Sequence, residues 1–316
     1  MRAIVTGAAG FIGSALAEGL VERGASVVGV DSFSDYYDPA QKRSTARHLG
    51  TAGVDVVEGD LLELDLVELL ADVDVVFHQA GQPGVRASWS GGFESYARDN
   101  ILVTQALLEA ARNASSLQRF VFASSSSVYG NVEVYPCTEA TLPRPFSPYG
   151  VTKLAAEHLC SLYAHNWSLP TVSLRYFTIY GPRQRPDMAF HRLIQAALDG
   201  REFELYGDGG QRREFTFVGD VVEANIAAAT SDVAPGTYMN VSGGQSVSMN
   251  DVIEQIESEL GPMAIRRTAA VAGDVRETGA TTDRAAELLD WAPMTSLAEG
   301  IKTQIDWHRM ERGSRR

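Results

Sequence analysis

The stretch Thr6-Gly7-Ala8-Ala9-Gly10-Phe11-Ile12-Gly13-Ser14, TGAAGFIGS, follows the β-branched run AIV and opens a segment, GSALAEGLVERG, that reads as a helix. Three glycines between a strand and a helix allow a tight turn, close approach of backbone to a pyrophosphate, and close helix–strand packing. The helix start adds free N–H donors and the positive end of the helix dipole. The spacing is Gly-x-x-Gly-x-x-Gly, a pattern that ordinary turns also use. Its context is more telling. Asp31 ends the next strand-like run, SVVGVD, where a carboxylate would hold the hydroxyls of an adenosine ribose. Ser32 follows, and DSFSD contains no Arg to receive a 2'-phosphate, so the pattern predicts NAD in preference to NADP. Asp60, closing VDVVEGD, stands where an adenine contact or a helix cap is expected.

Outward from that turn, β-branched runs recur at AIVTG, SVVGVD, VDVVEGD, VDVVFHQA and RFVFASS, separated by helix-like stretches such as NILVTQALLEAARN. Alternation of this kind predicts βαβ units on a parallel sheet covered on both faces, a Rossmann-type doubly wound α/β fold. After about residue 175 the pattern loosens into the Arg-rich segments RYFTIYGPRQRPDMAF and ELYGDGGQRREFTF, with shorter helices expected near 188–199, 220–230 and 249–260. The expected division is a dinucleotide-binding domain over 1–175 and a smaller mixed α/β substrate lobe over 176–316, some of whose later segments return to the sheet.

Composition excludes several classes. The chain has 316 residues, 45% hydrophobic and 21% charged, with a formal net charge of -13. So acidic a chain is poorly suited to nucleic acid or an anionic membrane surface, and any phosphate site must be local. Two cysteines, Cys137 and Cys160, and six unpaired histidines predict neither a disulfide framework nor a metal. The chain opens directly on a strand-like run, and no apolar run approaches the roughly 20 residues of a bilayer span. A cytoplasmic protein is expected.

SPYGVTKLAAEHL places Tyr149 and Lys153 four apart, on one face of a helix. An ammonium beside a phenol stabilises the phenolate, which would let Tyr149 act as a general base. Ser125, in the run VFASSSSVYG, falls where a core strand reaches the carboxyl edge of the sheet. Open α/β folds bind their ligands at that edge. A hydroxyl there can donate to the oxygen that Tyr149 deprotonates.

With TGAAGFIGS, GDLLE, HQAGQPGV, SSSSVYG, SPYGVTKLAAE, RYFTIYGPRQRPDM and GDGGQRREFTFV in this order, the whole chain resembles the extended short-chain dehydrogenase/reductases. Within them it is similar to the NAD-dependent nucleotide-sugar epimerases and dehydratases. The resemblance implies tightly bound NAD, regenerated in each turnover, and a catalytic Ser125, Tyr149 and Lys153. It implies cofactor contacts at Gly7, Gly10, Phe11, Ile12, Gly13, Asp31, Ser32, Lys42, Asp60, Leu61, Gln79, Ala80, Gln82, Tyr149, Lys153 and Tyr176. A UDP-sugar substrate is expected at Pro83, Arg86, Ser125, Ser126, Tyr149, Thr178, Arg185, Tyr206, Arg213 and Arg276. Arg276 departs from the subgroup, which usually has Pro there and at Ala272.

The serine run discriminates among the family's reactions. Dehydratases of the family carry Asp and Glu directly after the Ser125 position, and related decarboxylases commonly a Glu. Here Ser126 and Ser127 stand there. Without that acid, oxidation, turnover of the keto sugar and re-reduction are left, so a 4-epimerase is expected. RYFTIYGPRQRPDMAF, with Thr178 where neutral-sugar relatives usually have Asn, resembles the UDP-glucuronate 4-epimerases, as do DSFSDYYDPAQKR and GQPGVRAS. Physically, Thr178 and Arg185 offer a hydroxyl and a guanidinium to a carboxylate. The nearest alternative is a 4-epimerase of a neutral UDP-sugar, UDP-glucose or UDP-N-acetylglucosamine. A remote one is a non-catalytic NAD-binding regulator, against which the retained Ser125, Tyr149 and Lys153 speak. Helices expected near 94–115 and 147–166, with Leu102, Leu107, Leu159 and Leu162 on apolar faces, resemble the family's dimer-forming pair and imply a homodimer.

Overall fold

The computed structural model describes residues 1–89, 92–269 and 277–314. The first half of the chain alternates strand and helix: β1 (Arg2–Thr6), α1 (Phe11–Glu22), β2 (Ser26–Asp31), α2 (Pro39–Thr51), β3 (Asp55–Glu58), α3 (Leu66–Leu70) and β4 (Val75–His78). Then come α4 (Phe93–Tyr96), a π-helical stretch (Ala97–Leu102), α5 (Val103–Ala111), β5 (Arg119–Ser125), α6 (Pro148–Trp167) and β6 (Thr171–Tyr176). The second half contributes β7 (Ile179–Tyr180), α7 (Ala189–Asp199), β8 (Phe203–Tyr206), β9 (Arg212–Glu214), β10 (Thr216–Phe217), α8 (Val218–Thr230) and β11 (Thr237–Val241). It closes with β12 (Ser246–Ser248), α9 (Met249–Leu260), β13 (Ile265–Thr268), β14 (Glu277–Thr278), α10 (Asp283–Leu289) and α11 (Leu297–Ser314).

Seven strands form one sheet in the order β11-β6-β5-β4-β1-β2-β3, every pairing parallel. The doubly wound fold expected from the alternation is present. Because β1 lies between β4 and β2, the chain reverses its winding there, and the crevice between the carboxyl ends of β1 and β4 is where such sheets bind ligands. Both faces are covered, which is why β5 and β6 are buried along their whole length. Leu16 and Leu20 of α1 and Val221 and Ala224 of α8 pack on one face, while Leu107 and Leu108 of α5 and Ala156 and Cys160 of α6 pack on the other.

α6 starts at a well-made cap: the Ser147 hydroxyl accepts the N–H of Gly150, and Pro148 takes the first helical position, where its missing N–H costs nothing. The last strand of the sheet, β11, comes from the second half of the chain, and α8 also returns to pack on it. Helices α7, α9 and α11 build a separate core from Phe190, Leu193 and Ile194, Val252 and Ile253, and Ile301 and Ile305, while Ala285 and Leu289 of α10 join the sheet's own core.

Two of the four leucines expected on the dimer-forming faces turn inward instead. Leu107 is fully buried under the molecule's own sheet, and Leu159 packs partly against the same cluster. The apolar side chains that α5, α6 and the π-helical stretch leave outside are Leu102, Val151, Leu162 and Trp167. A helix on a sheet must spend one stripe on that sheet, so an outer apolar face has to come from the others.

Candidate active site

A cleft opens at the carboxyl ends of β1 and β4. All of the sequence-predicted cofactor positions line it, from Gly7 in the first turn to Tyr176 at the end of β6, and so do Pro83 and Arg185 from the substrate set. Gly7 has φ +68°, and a Cβ there would lie 2.9 Å from the backbone of Ala80 at the end of β4. A Cβ on Gly13 would lie 2.1 Å from the carbonyl oxygen of Gly7. The turn therefore closes only with hydrogen in both places. Gly10 caps α1 without any side-chain hydrogen bond, so the first N–H groups of the helix remain directed at the cleft.

Asp31 is set by its own loop: one oxygen accepts from the N–H of Ala9 at 3.0 Å and the other from that of Phe33 at 2.8 Å. Its carboxylate is thereby tied to the glycine turn and to the end of β2 together. Lys42 Nζ donates to Ser34 Oγ at 2.8 Å and lies 5.0 Å from the Tyr37 ring centroid. Burial pulls its pKa down, opposed by nearby Asp31. Asp60 lies two residues beyond the end of β3, where it caps the N–H of Leu62 and pairs with Arg98. At the far end, Gln79 donates to the Tyr176 hydroxyl at 3.1 Å and to Asn225 at 3.0 Å, joining β4, β6 and α8.

The four serines have separate duties. Ser124 lines the cleft, with its Oγ donating to the buried carboxylate of Glu157 at 2.6 Å, whereas Ser125 and Ser126 stand just outside the lining. Ser125, the last residue of β5, accepts the N–H of Ser127 at 3.1 Å and hydrogen-bonds the Tyr149 side chain. Ser126 and Ser127 form a half-buried 3-10 turn with Val128, and no carboxyl side chain stands in it.

Tyr149 and Lys153 both line the cleft. Lys153 Nζ donates to the carbonyl of Ala123 on β5 at 3.0 Å, and burial pulls its pKa down to about 8. For Tyr149, burial raises the pKa most; the Ser125 hydrogen bond and the charge of Arg185 lower it. Arg185, which also lines the cleft, is thus a cation whose charge favours the phenolate, while Lys153 is tied to the strand beneath. Arg185 itself is held by Asp187, Nε to Oδ1 at 3.0 Å and Nη2 to Oδ2 at 2.9 Å, and lies 5.6 Å from the Tyr36 ring centroid.

Three residues matter to the cleft that the sequence reading did not single out: Tyr36 and Tyr37, which line it, and Asn100, which supports it. Tyr36 and Tyr37 come from the loop after β2, whose course depends on tertiary packing. Asn100 is buried in the π-helical stretch behind the lining; it accepts the N–H of Gln82 at 2.8 Å and donates to Gln82 O at 3.1 Å and to Thr152 at 2.9 Å. A pairing of both backbone groups of Gln82 fixes the β4 loop against the helix that carries Lys153.

The remaining substrate positions lie outside the cleft lining. Thr178 is half-buried between β6 and β7. Arg86, on the β4 side, lies 5.4 Å from the ring centroid of Tyr206 on β8, so these two meet across the halves of the chain. Arg213 is on β9, paired in register with Val247 and Thr278. Arg276 and Ala272 lie outside the described residues.

Residues 3–242 match the model of the NAD dependent epimerase/dehydratase family. The chain belongs to that family. It is an NAD-dependent enzyme, and its glycine turn, Asp31 and cleft fit that cofactor. Among relatives, the chain is 42% identical to a Bacillus subtilis (strain 168) protein named "Uncharacterized UDP-glucose epimerase YtcB", over 96% of this chain and 97% of that one. It is 34% identical to UDP-glucuronate 4-epimerase 1 of Arabidopsis thaliana, over 96% of this chain and 76% of that one. The crystal structure of UDP-glucuronic acid 4-epimerase from Bacillus cereus, in complex with UDP-glucuronic acid and NAD, superposes with a TM-score of 0.93 at 41% identity, covering 98% of this chain and all of that one.

Proposed function

We propose that this protein is an NAD-dependent UDP-glucuronate 4-epimerase, interconverting UDP-glucuronate and UDP-galacturonate through a transient 4-keto sugar. The observation that carries the choice of sugar is Arg185: a cation lines the cleft near enough to Tyr149 for its charge to act on the phenol. The sugar carboxyl sits on the carbon next to the reacting C4, so a guanidinium at that place suits an acid sugar. The Bacillus cereus and Arabidopsis relatives, whose names specify this activity, support the same reading.

Bound NAD supplies a nicotinamide that takes a hydride from C4 and returns it. The chain's residues handle the proton and the pose. Tyr149 takes the proton of the 4-hydroxyl and later gives one back. Ser125, already hydrogen-bonded to the Tyr149 side chain, supports the same oxygen. Lys153 would hold hydroxyls of the cofactor's ribose, and its tie to Ala123 keeps it in register with β5. The keto sugar turns about its diphosphate between the two proton transfers, so that its other face is presented. Ser126 and Ser127 offer no carboxyl group, which leaves elimination of water without its acid.

A 4-keto uronate is a β-keto acid and loses carbon dioxide when its carboxylate stands perpendicular to the ketone. Arg185 and Thr178 hold the carboxylate away from that orientation, so the groups that recognise the acid also protect it. Arg213, and Tyr206 with Arg86 beside it, serve the diphosphate and uracil. The protein acts in the cytoplasm as a homodimer built on α5 and α6.

The test is Arg185→Ala. Loss of a desolvated charge-assisted pair of roughly 1.5–3 kcal/mol should weaken UDP-glucuronate by about 10- to 150-fold and UDP-glucose much less. Equal losses for the two, with no preference for the acid in the unmodified enzyme, would return the activity to a neutral UDP-sugar, as the name of the Bacillus subtilis relative specifies.

A further inference from the structure

Residues Arg183, Gln184 and Arg185 are consecutive in the segment between β7 and α7, yet their side chains go three ways. Arg185 enters the cleft. Gln184 is buried and turns into the lobe, donating to Ile179 O at 3.0 Å and accepting from the N–H of His191 at 2.9 Å and from Gln304 at 3.0 Å. Arg183 turns to the cofactor half, where Nη1 and Nη2 clasp the carboxylate of Glu18 on α1 at 2.6 and 2.8 Å, and Nη1 also reaches Ser14 Oγ at 3.3 Å. Both members of this pair are largely withdrawn from solvent, with side chains 21% and 22% exposed.

The divergence depends on an unusual backbone. Arg183 has φ +62°, in the left-handed region that a side chain bearing Cβ disfavours. Strain of this kind persists only where surrounding contacts over-determine it, and it gathers at positions with a task. Here the contact is a planar, bidentate ion pair joining residues 165 positions apart. Glu18 has further support from His48 of α2, whose Nε2 lies 2.6 Å from the carboxylate.

We propose that Arg183 is a positioning residue for acid-sugar specificity. Its ion pair with Glu18 locks the Gly181–Met188 loop onto the helix whose N-terminus faces the cofactor, and so sets where Arg185 meets the sugar carboxylate. The inference rests on the reading of Arg185 as the carboxylate's partner and extends it two residues back along the chain. Misplacement of a binding group by an ångström has large effects on a reaction that depends on pose. Loss of the clasp therefore shows in the acid sugar, whose carboxylate needs Arg185, and spares the neutral sugar, which shares the other contacts.

The experiment uses the holoenzyme and the variants Arg183→Ala and Glu18→Gln, the second isosteric and placed on a regular helix. For each, the KM for UDP-glucuronate is compared with the inhibition constant of UDP-glucose. NAD released per chain on denaturation and decarboxylated UDP-pentose among the products are also measured. The expected result is a KM raised roughly 10-fold or more by either variant, with the UDP-glucose constant changed less than about 2-fold, retained NAD, and UDP-pentose appearing. The double variant should lose no more than the worse single one, since one interaction is removed twice. Arg183→Lys, which keeps the charge without the fork, should fall between. Equal weakening of both sugars together with lost NAD would make the pair an ordinary structural joint and overturn the proposal. Unchanged discrimination in variants of an enzyme that prefers the acid would overturn the latch alone. An unmodified enzyme without preference for the acid would overturn both the latch and the reading beneath it.

Discussion

At the scale of single residues, the account turns on Tyr149. Burial favours its neutral phenol, and Ser125 and Arg185 oppose burial by favouring the phenolate. Substituting Phe removes one oxygen and leaves the shape of the cleft and the Asp31 loop as they are. Tyr149→Phe should lower turnover by roughly 100-fold or more while substrate affinity and retained NAD stay close to those of the unmodified enzyme. Near-normal turnover, read from product formation under saturation, would remove Tyr149 from the role of base. Much of this site is legible in sequence because its parts are local: four residues of helical spacing bring Tyr149 and Lys153 to one face, and a strand end places Ser125. Arg185 acting on Tyr149 is not legible in that way. Thirty-six positions separate the two, and only the packing of the lobe brings the charge near the phenol. Asn100 is hidden for the same reason, since its partner Gln82 belongs to a loop with no regular period.

Among elements, β5, α6 and β6 share a buried charge network directly behind the serines. Arg175 of β6 pairs with Glu157 of α6, Nη2 to Oε1 at 2.5 Å and Nε to Oε2 at 3.0 Å, with both side chains almost fully buried. The same carboxylate receives Ser124, and Arg175 also donates to the Tyr129 hydroxyl at 2.8 Å. Removing one charge strands the other in a medium that cannot solvate it, a loss of roughly 3–5 kcal/mol. Glu157→Gln should therefore lower the urea midpoint with an unchanged slope, whereas an unaltered midpoint would mean that the pair is not holding the strand end. Strands β2 and β5 begin and end where their β-branched runs do, because alternation of run and helix marks them. The stretch before α5 reads as plain helix in sequence, yet it winds as a π-helix over Ala97–Leu102. That extra residue in the turn accompanies the clasp of Asn100 on Gln82, which no local propensity announces.

For the molecule as a whole, the parallel sheet follows from the repeating strand–helix pattern, and so does the place of the cleft. The return of β11 to the edge of the sheet is not written in any periodicity, since a strand of five residues that crosses from the lobe looks like its neighbours. Leu102, Val151, Leu162 and Trp167 are exposed on the helices of one face, where a dimer would cover them. Sedimentation at micromolar concentration should give twice the chain mass of 34.2 kDa, and a species of the single chain mass would contradict the dimer. The cleft, the serines and Arg185 serve one reaction on one substrate. That reaction is tested most directly by NMR of the sugar nucleotide after the purified protein is incubated with UDP-glucuronate and no added NAD. The expected product is a mixture of UDP-glucuronate and UDP-galacturonate with the cofactor unconsumed. Unchanged UDP-glucuronate from a protein carrying NAD, or UDP-pentose as the main product, would contradict it.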